Sequence, residues 1–251
     1  MDFLALWSLL GFLFAVYAVT ANDSIQTLGT YISSNNDIKW YWMFAYMGSI
    51  FLVTMLQGFN GGDPAFGRLD KFPPIDIKWY HAVAPLVLVA LTRLKIPVST
   101  TFLVLSVFAS SVVMEKMLLK SFLGYAVSFV FAWGSWYLIS KYFLNEGEKG
   151  KNKNNNYWRI GQWVTTGWLW STWLKHDLAN IMVFLPRYSS VQDSYFEFFV
   201  IGTMLLGLAF MFYERGGRIQ EIVLSKTNTR YVRSATLIDL VYCFVLYYFK
   251  E

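Results

Sequence analysis

Cysteine is almost missing: Cys243 is the single one in 251 residues, which excludes a disulfide framework and a thiolate metal cluster. Charge is scarce as well. Only 15% of residues are Asp, Glu, Lys or Arg, where a soluble domain carries about a quarter. No Walker loop, dinucleotide fingerprint, zinc signature or serine-nucleophile elbow occurs, so nothing points to ATP or to a cofactor. Met1-Asp2-Phe3 lacks the basic start of a secretory leader, although Val19-Thr20-Ala21 offers cleavable small residues; the first apolar segment is therefore expected to stay.

Apolar and aromatic residues fill the space, at 56% and 20% of the chain. Charge-free windows run over Phe3–Asn22, Trp40–Gly62, Ile96–Met114 and Ser121–Ser140, and shorter ones surround Ala84, Trp168, Thr203 and Val241. A full span needs about 20 such residues. The expectation is an all-α polytopic membrane protein with roughly eight embedded segments, some too short to cross alone. Trp163, Trp168, Trp170 and Trp173 fit an interfacial aromatic belt.

The net charge of +5 gathers in two loops, Lys141–Arg159 and Arg215–Arg233. Basic loops stay cytoplasmic, so the excess reads as orientation in a plasma or inner membrane, with lipid as partner and no nucleic acid. The first loop contains "NEGEKGKNKNNN", a polar low-complexity stretch. It divides the chain into a first membrane repeat, 1–144, a linker, 145–158, and a second repeat, 159–251. "GFNGGDPAFGRLDKFPPID", Gly58–Asp76, is a surface loop or lid.

Each half places an acid with an amide three residues on: Asp23 with Gln26, preceded by Asn22, and Asp177 with Asn180, preceded by His176. Each half then has a Ser-x-Thr at the head of an apolar segment, Ser99-Thr100-Thr101 and Ser234-Ala235-Thr236. An ionised Asp in hydrocarbon costs about 3 kcal/mol, so each aspartate either ends a span or binds something. "SIQTLGTYI" and "LANIMVFLP" read as re-entrant half-helices. Two inverted-topology repeats would bring such broken helices together near the midplane.

Asn22, Asp23, Gln26, Asp177 and Asn180 offer only oxygen to a cation, which suits Na⁺, with Asp23 and Asp177 as its carboxylates. The free N–H groups and hydroxyls at Ser99, Thr100, Thr101, Ser234 and Thr236 suit an anion, with Arg233 beside them. An ordinary N-cap is the plainer reading of Ser99 and Thr100. His176 could titrate near neutral pH and carry a proton. His81 and Arg187 read as interfacial anchors.

These four islands resemble the signatures of the inorganic phosphate transporter (PiT) family. "TANDSIQTLGTYISS" is similar to the first copy of its Asn-Asp motif at Asn22, Asp23, Gly29 and Thr30, and "HDLANIMVFLP" to the second at Asp177, Ala179, Asn180 and Pro186. "PVSTTF" resembles its Ser-Thr motif, with "VRSATL" as a weaker copy. The resemblance implies a bundle of two inverted repeats, a homodimer, and symport of inorganic phosphate with Na⁺ or H⁺ rather than enzymatic catalysis. It gives phosphate to Ser99, Thr100, Thr101, Ser234 and Thr236, and cations to Asn22, Asp23, Asp177 and Asn180. The chain is shorter than typical members, Phe102 stands for a His, Gln26 for an Asn, His176 for an Asn, and Ala235 removes a hydroxyl. Alternatives are a carrier of sulfate or arsenate, an intramembrane lipid-phosphate enzyme using Asp23, His81 and His176, or a sensor that transports nothing.

Overall fold

A computed structural model describes residues 3–96, 98–139, 141, 156–187, 193–226 and 232–248. All regular structure among them is helical. The helices are α1 (Phe3–Ala18), α2 (Ser24–Ser34), α3 (Trp40–Asn60), α4 (Trp79–Arg93), α5 (Thr100–Leu105), α6 (Ser111–Ile139), α7 (Asn156–Met182), α8 (Ser194–Tyr213), α9 (Gly217–Lys226) and α10 (Val232–Tyr248). The linker's last residues, 156–158, already belong to α7, and 142–155 lie outside the described residues.

Among the described residues, four helical runs are long and apolar enough to cross a membrane, consistent with a membrane protein: Leu6–Ser34, Trp40–Asn60, Ser111–Leu138 and Ser194–Tyr213. The charge-free window Ile96–Met114 is not a span. It breaks into a turn, the six residues of α5, a 3₁₀ turn at Ser106–Phe108 and the start of α6. Nor does the chain reverse after Asp23, as expected of a re-entrant segment. A π turn at Val19–Asp23 joins α1 to α2, with helical dihedrals at both ends, so the run continues. The reversal comes later. The α4–α5 pair forms a short hairpin, in which His81 at the start of α4 stacks on Phe108 at 4.9 Å.

Helix positions recur along the chain. Asp23 and Asp177 are 154 residues apart, as are the starts of α3 (Trp40) and α8 (Ser194), and α4 and α10 start at Trp79 and Val232. Packing recurs too. α10 runs parallel to α7, with Thr236 on the Trp158 carbonyl and Phe244 beside Trp168. In the first half, Arg93 at the end of α4 lies over Tyr17 at the end of α1. α3 and α8 run antiparallel, with Trp40 against Tyr213 and Phe44 against Phe212.

The core forms where these pairs cross, around Phe12, Leu28, Met47, Phe51, Leu178 and Met204, all buried. Small residues allow the close crossings. A Cβ at Gly167 on α7 would lie 2.7 Å from Tyr46 Oη of α3, and one at Gly207 on α8 3.2 Å from Val16 and Thr20. α6 stands apart: its span window has no buried residue, and Phe122, Phe129 and Trp133 project outward. Such a surface belongs against lipid or another apolar partner rather than water.

Candidate functional site

The π turn is the first determinant of the site. It carries Asn22 and Asp23, both buried, to the crossing of α2 and α7 and against the segment that opens α5. Such an extra residue in a helix often marks function. Asn22 Nδ2 lies 2.7 Å from Asp23 Oδ1, 2.9 Å from the Val98 carbonyl and 3.3 Å from Thr100 Oγ1. Thr100 Oγ1 donates to Asp23 Oδ1 at 2.7 Å, and Gln26 Nε2 donates to Asn22 Oδ1 at 3.2 Å. Ser99 caps α5 by accepting from the Phe102 amide at 3.4 Å.

The second aspartate is reached through α5. Asn180 Nδ2 donates to Thr101 Oγ1 at 3.1 Å and lies 3.4 Å from Asp177 Oδ1. Thr100 and Thr101 thus face opposite acids, one per half. Asp177 is electrostatically coupled to Asp23 and to Arg68. Its second oxygen, Oδ2, and Asn180 Oδ1 are buried acceptors with no hydrogen-bond partner. The Trp173 indole approaches Asp177 but stops short of a hydrogen bond, so its N–H is unpartnered as well. An unsatisfied buried polar atom costs about 1–3 kcal/mol, and buried oxygens left without donors are the ligands a small hard cation takes.

These groups line a cavity of about 430 Å³ whose polar wall is Asp23, Gln26, Arg68, Ser99, Thr100, Thr101, His176 and Asp177. Arg68 Nη2 lies 3.2 Å from His176 Nε2. A guanidinium can only donate, so that nitrogen accepts and the proton of a neutral ring sits on Nδ1. Burial lowers the Arg68 pKa and the Asp177 carboxylate opposes the shift; the guanidinium stays charged. Among the described residues it is the cation that faces Asp177.

Three of the four sequence islands meet here, and the fourth does not. Thr236 Oγ1 bonds the carbonyls of Val232 at 2.8 Å and Trp158 at 3.1 Å. Trp158 is 19 residues before Asp177 on α7, about 28 Å at 1.5 Å per residue. Arg233 lies over the Trp158 ring, 5.6 Å from its centroid. The Ser234 side chain lies outside the described residues. α10 starts 153 residues after α4, so by helix position Ser234 and Thr236 align with His81 and Val83 and not with Ser99 and Thr101. The expected meeting of two Ser/Thr helix starts is corrected accordingly.

His81 is also outside the cavity. It is buried, accepts the Lys78 amide on Nδ1 at 2.9 Å and packs on Phe108. Arg187 donates to the Leu69 and Phe72 carbonyls at 3.1 and 2.9 Å, bolting down the loop that carries Arg68. Sequence reasoning missed Arg68, Trp173 and Tyr125. Arg68 had one signal, a cation inside a Gly- and Pro-rich loop already read as a lid. No family model, curated protein or solved structure matches the chain.

Proposed function

We propose that the chain is a secondary active transporter that carries inorganic phosphate with Na⁺ or H⁺. The observation that carries this reading is the meeting of Asp23, Asp177, Thr100, Thr101 and Arg68 at one polar cavity between apolar helices, with two acceptor oxygens unpartnered. Arg68 and the hydroxyls of Ser99, Thr100 and Thr101 would hold the oxyanion. Asp177, Asn180 and Asp23 would hold the cation, with Asn22 and Gln26 fixing the first acid. Two carboxylates beside a bound anion repel it by about 4 kcal/mol per unit-charge pair at 4 Å and an effective dielectric near 20. A cation between them reverses that sign, so each ligand favours the other. Such coupling is what symport requires.

Inverted repeats suit the same reading, since equivalent helices α3 and α8 run in opposite directions. Alternating access would rock one helix set against the other about the cavity. The basic linker faces the cytoplasm in this scheme, and the bare face of α6 supplies a lipid or homodimer contact.

Reconstituted protein is expected to accumulate labelled phosphate when a Na⁺ or H⁺ gradient is imposed, and Asp177→Asn is expected to abolish the gradient-dependent part. Uptake indifferent to both gradients would refute the transporter. Competition by sulfate and arsenate sorts the oxyanions.

A second reading has one observation behind it. Gln26 and Tyr125 line both the polar cavity and an apolar cleft of about 640 Å³ between α2, α6, α9 and α10. A sideways opening of that kind suits an enzyme acting on lipid phosphates. His81, one of the acid–base groups it would use, lies outside the cavity, which weighs against it. Phosphate release from a short-chain lipid phosphate, lost in His176→Ala, would favour it over transport.

A further inference from the structure

The cavity leaves one buried acid unused. Asp239, on α10, is 1% exposed. Its Oδ1 pairs with Thr30 Oγ1 of α2 at 2.9 Å, and its Oδ2 with Thr166 Oγ1 of α7; a hydroxyl can donate or accept, so a proton on either carboxyl oxygen finds an acceptor. Three helices are therefore tied by one carboxyl group. No described Lys, Arg or His forms an ion pair with it.

The ionisable groups on the helices around it are otherwise engaged or remote. Tyr31 of α2 faces the Trp163 ring, and Arg159 of α7 pairs with Asp37. Lys175, His176 and Asp177 lie nine or more residues along α7 from Thr166. The nearest α6 and α9 groups are turned elsewhere: Tyr125 lines the apolar cleft and Glu221 pairs with Lys95. Only the Cys243 thiol, one turn along α10, is electrostatically coupled to Asp239. A carboxylate with no cation, buried between apolar helices, costs several kcal/mol. A neutral acid with two hydroxyl partners does not.

A polar track leads away from it. Thr30 shares its carbonyl with Ser34 Oγ at 2.8 Å, Gln162 Nε2 donates to Ser34 Oγ at 2.6 Å, and Asn35 Nδ2 donates to Gln162 Oε1 at 2.8 Å. Next come Asn36 and the Asp37–Arg159 pair, at the exposed α2–α3 turn. An ionisable group among apolar membrane helices is a functional site by default, and this track gives it a polar route toward the surface.

We propose that Asp239 is a proton-binding site, separate from the Asp23–Asp177 cavity, that latches α10 to α2 and α7 while it holds its proton. When α10 moves and water reaches the group from the α2–α3 turn, the proton passes to water and the carboxylate stays solvated until the latch closes again. The latch does not depend on what the cavity carries.

The test uses the full chain in lipid bilayers and two readouts. The infrared carbonyl band of protonated carboxylic acid is expected in the wild type at neutral pH, and the wild-type minus Asp239→Asn difference should isolate it. Cys243, buried on the same helix, reports opening by maleimide labelling. The ratio of wild-type to Asp239→Asn labelling rates cancels the thiol's own ionisation. It should rise about tenfold per pH unit, the slope for one proton, above the titration point of the open, solvated carboxyl and level off above that of the closed, buried one. A difference spectrum without the acid band, or a flat ratio across pH, overturns the proposal. Should Asp239→Asn fail to fold, Thr166→Val serves: loss of its hydroxyl must shift the acid band, and an unshifted band overturns the proposal equally.

Discussion

Asp23 and Asp177, 154 residues apart, are both buried beside α5, yet their surroundings differ. The Asp23 carboxylate accepts from Asn22 and Thr100 through one oxygen, and α5 closes over it. Asp177 accepts weakly from Asn180 and keeps its second oxygen unpartnered. The cause is α5, which follows α4 in the first half and inserts its first turn between the acids. No described segment plays that part after α10. One aspartate is therefore hydrogen-bonded into the fold, while the other keeps an unpartnered oxygen.

The largest expected effect separates those roles. Asp177→Asn removes a buried charge at a ligand-facing position and should cut gradient-driven uptake by about 100-fold or more, the equivalent of ~3 kcal/mol or above. Thermal stability should change less than in Asp23→Asn, because the Asp177 Oδ2 has no hydrogen-bond partner to lose. Asp23→Asn should instead lower stability by about 1.5–3 kcal/mol, since two hydrogen bonds to a charged group are weakened. Equal melting temperatures for the two variants would dissolve the distinction between a structural and a ligand-facing acid.

Arg68 sharpens the comparison at the next level. It comes from the loop after α3 and stands beside Asp177 and His176, so it favours the second acid's side of the cavity. Arg68→Ala should raise the KM for phosphate by about 10–100-fold, the range of a charge-assisted hydrogen bond, with a smaller change in kcat. Arg68→Lys should recover part of this, because a point charge replaces a fork of donors. An unchanged KM would remove Arg68 from the anion site.

The difference between the halves was only partly legible in the sequence. The apolar windows at Phe3, Trp40 and Thr203 announced their spans, because length and lack of charge are direct requirements of a bilayer. The paired Asp and amide were legible for a similar reason: an acid in such a run needs a partner. The Ser-x-Thr pairing failed since three residues recur easily by chance, and the helix positions set Ser234 and Thr236 beside residues of α4 rather than α5. Arg68 stayed hidden because it reaches Asp177 from 109 residues away in sequence, across a loop whose path no local pattern fixes. Asp239 was visible as a lone acid in "TLIDLVYCF", but nothing local named Thr30 and Thr166 as its partners.

The two Ser/Thr islands offer a third, smaller contrast. Thr100→Val deletes the hydroxyl that donates to Asp23 and should cost about 1.5–3 kcal/mol along with most uptake. Thr236→Val removes a hydroxyl bonded to main-chain carbonyls at 2.8 and 3.1 Å. Its cost should be about 1 kcal/mol, with uptake retained. Loss of uptake in Thr236→Val at full stability would restore the second island to the substrate path.

The smallest effect lies where the halves touch at the surface. Lys95, in the turn after α4, pairs with Glu221 of α9, and Arg218 donates to the Arg93 carbonyl at 3.0 Å. The hydrogen bond and charge of Lys95 hold the Glu221 carboxyl below its ordinary value of 4.5. A depressed carboxyl stabilises the folded state above its unfolded value and loses that contribution as pH falls through the folded one. Glu221→Gln should therefore lower the melting temperature slightly near neutral pH and not at all in strong acid. Added salt should erase the difference, because both partners face water. A deficit that persists in acid and at high salt would mean that Glu221 holds α9 to α4 by packing rather than by charge.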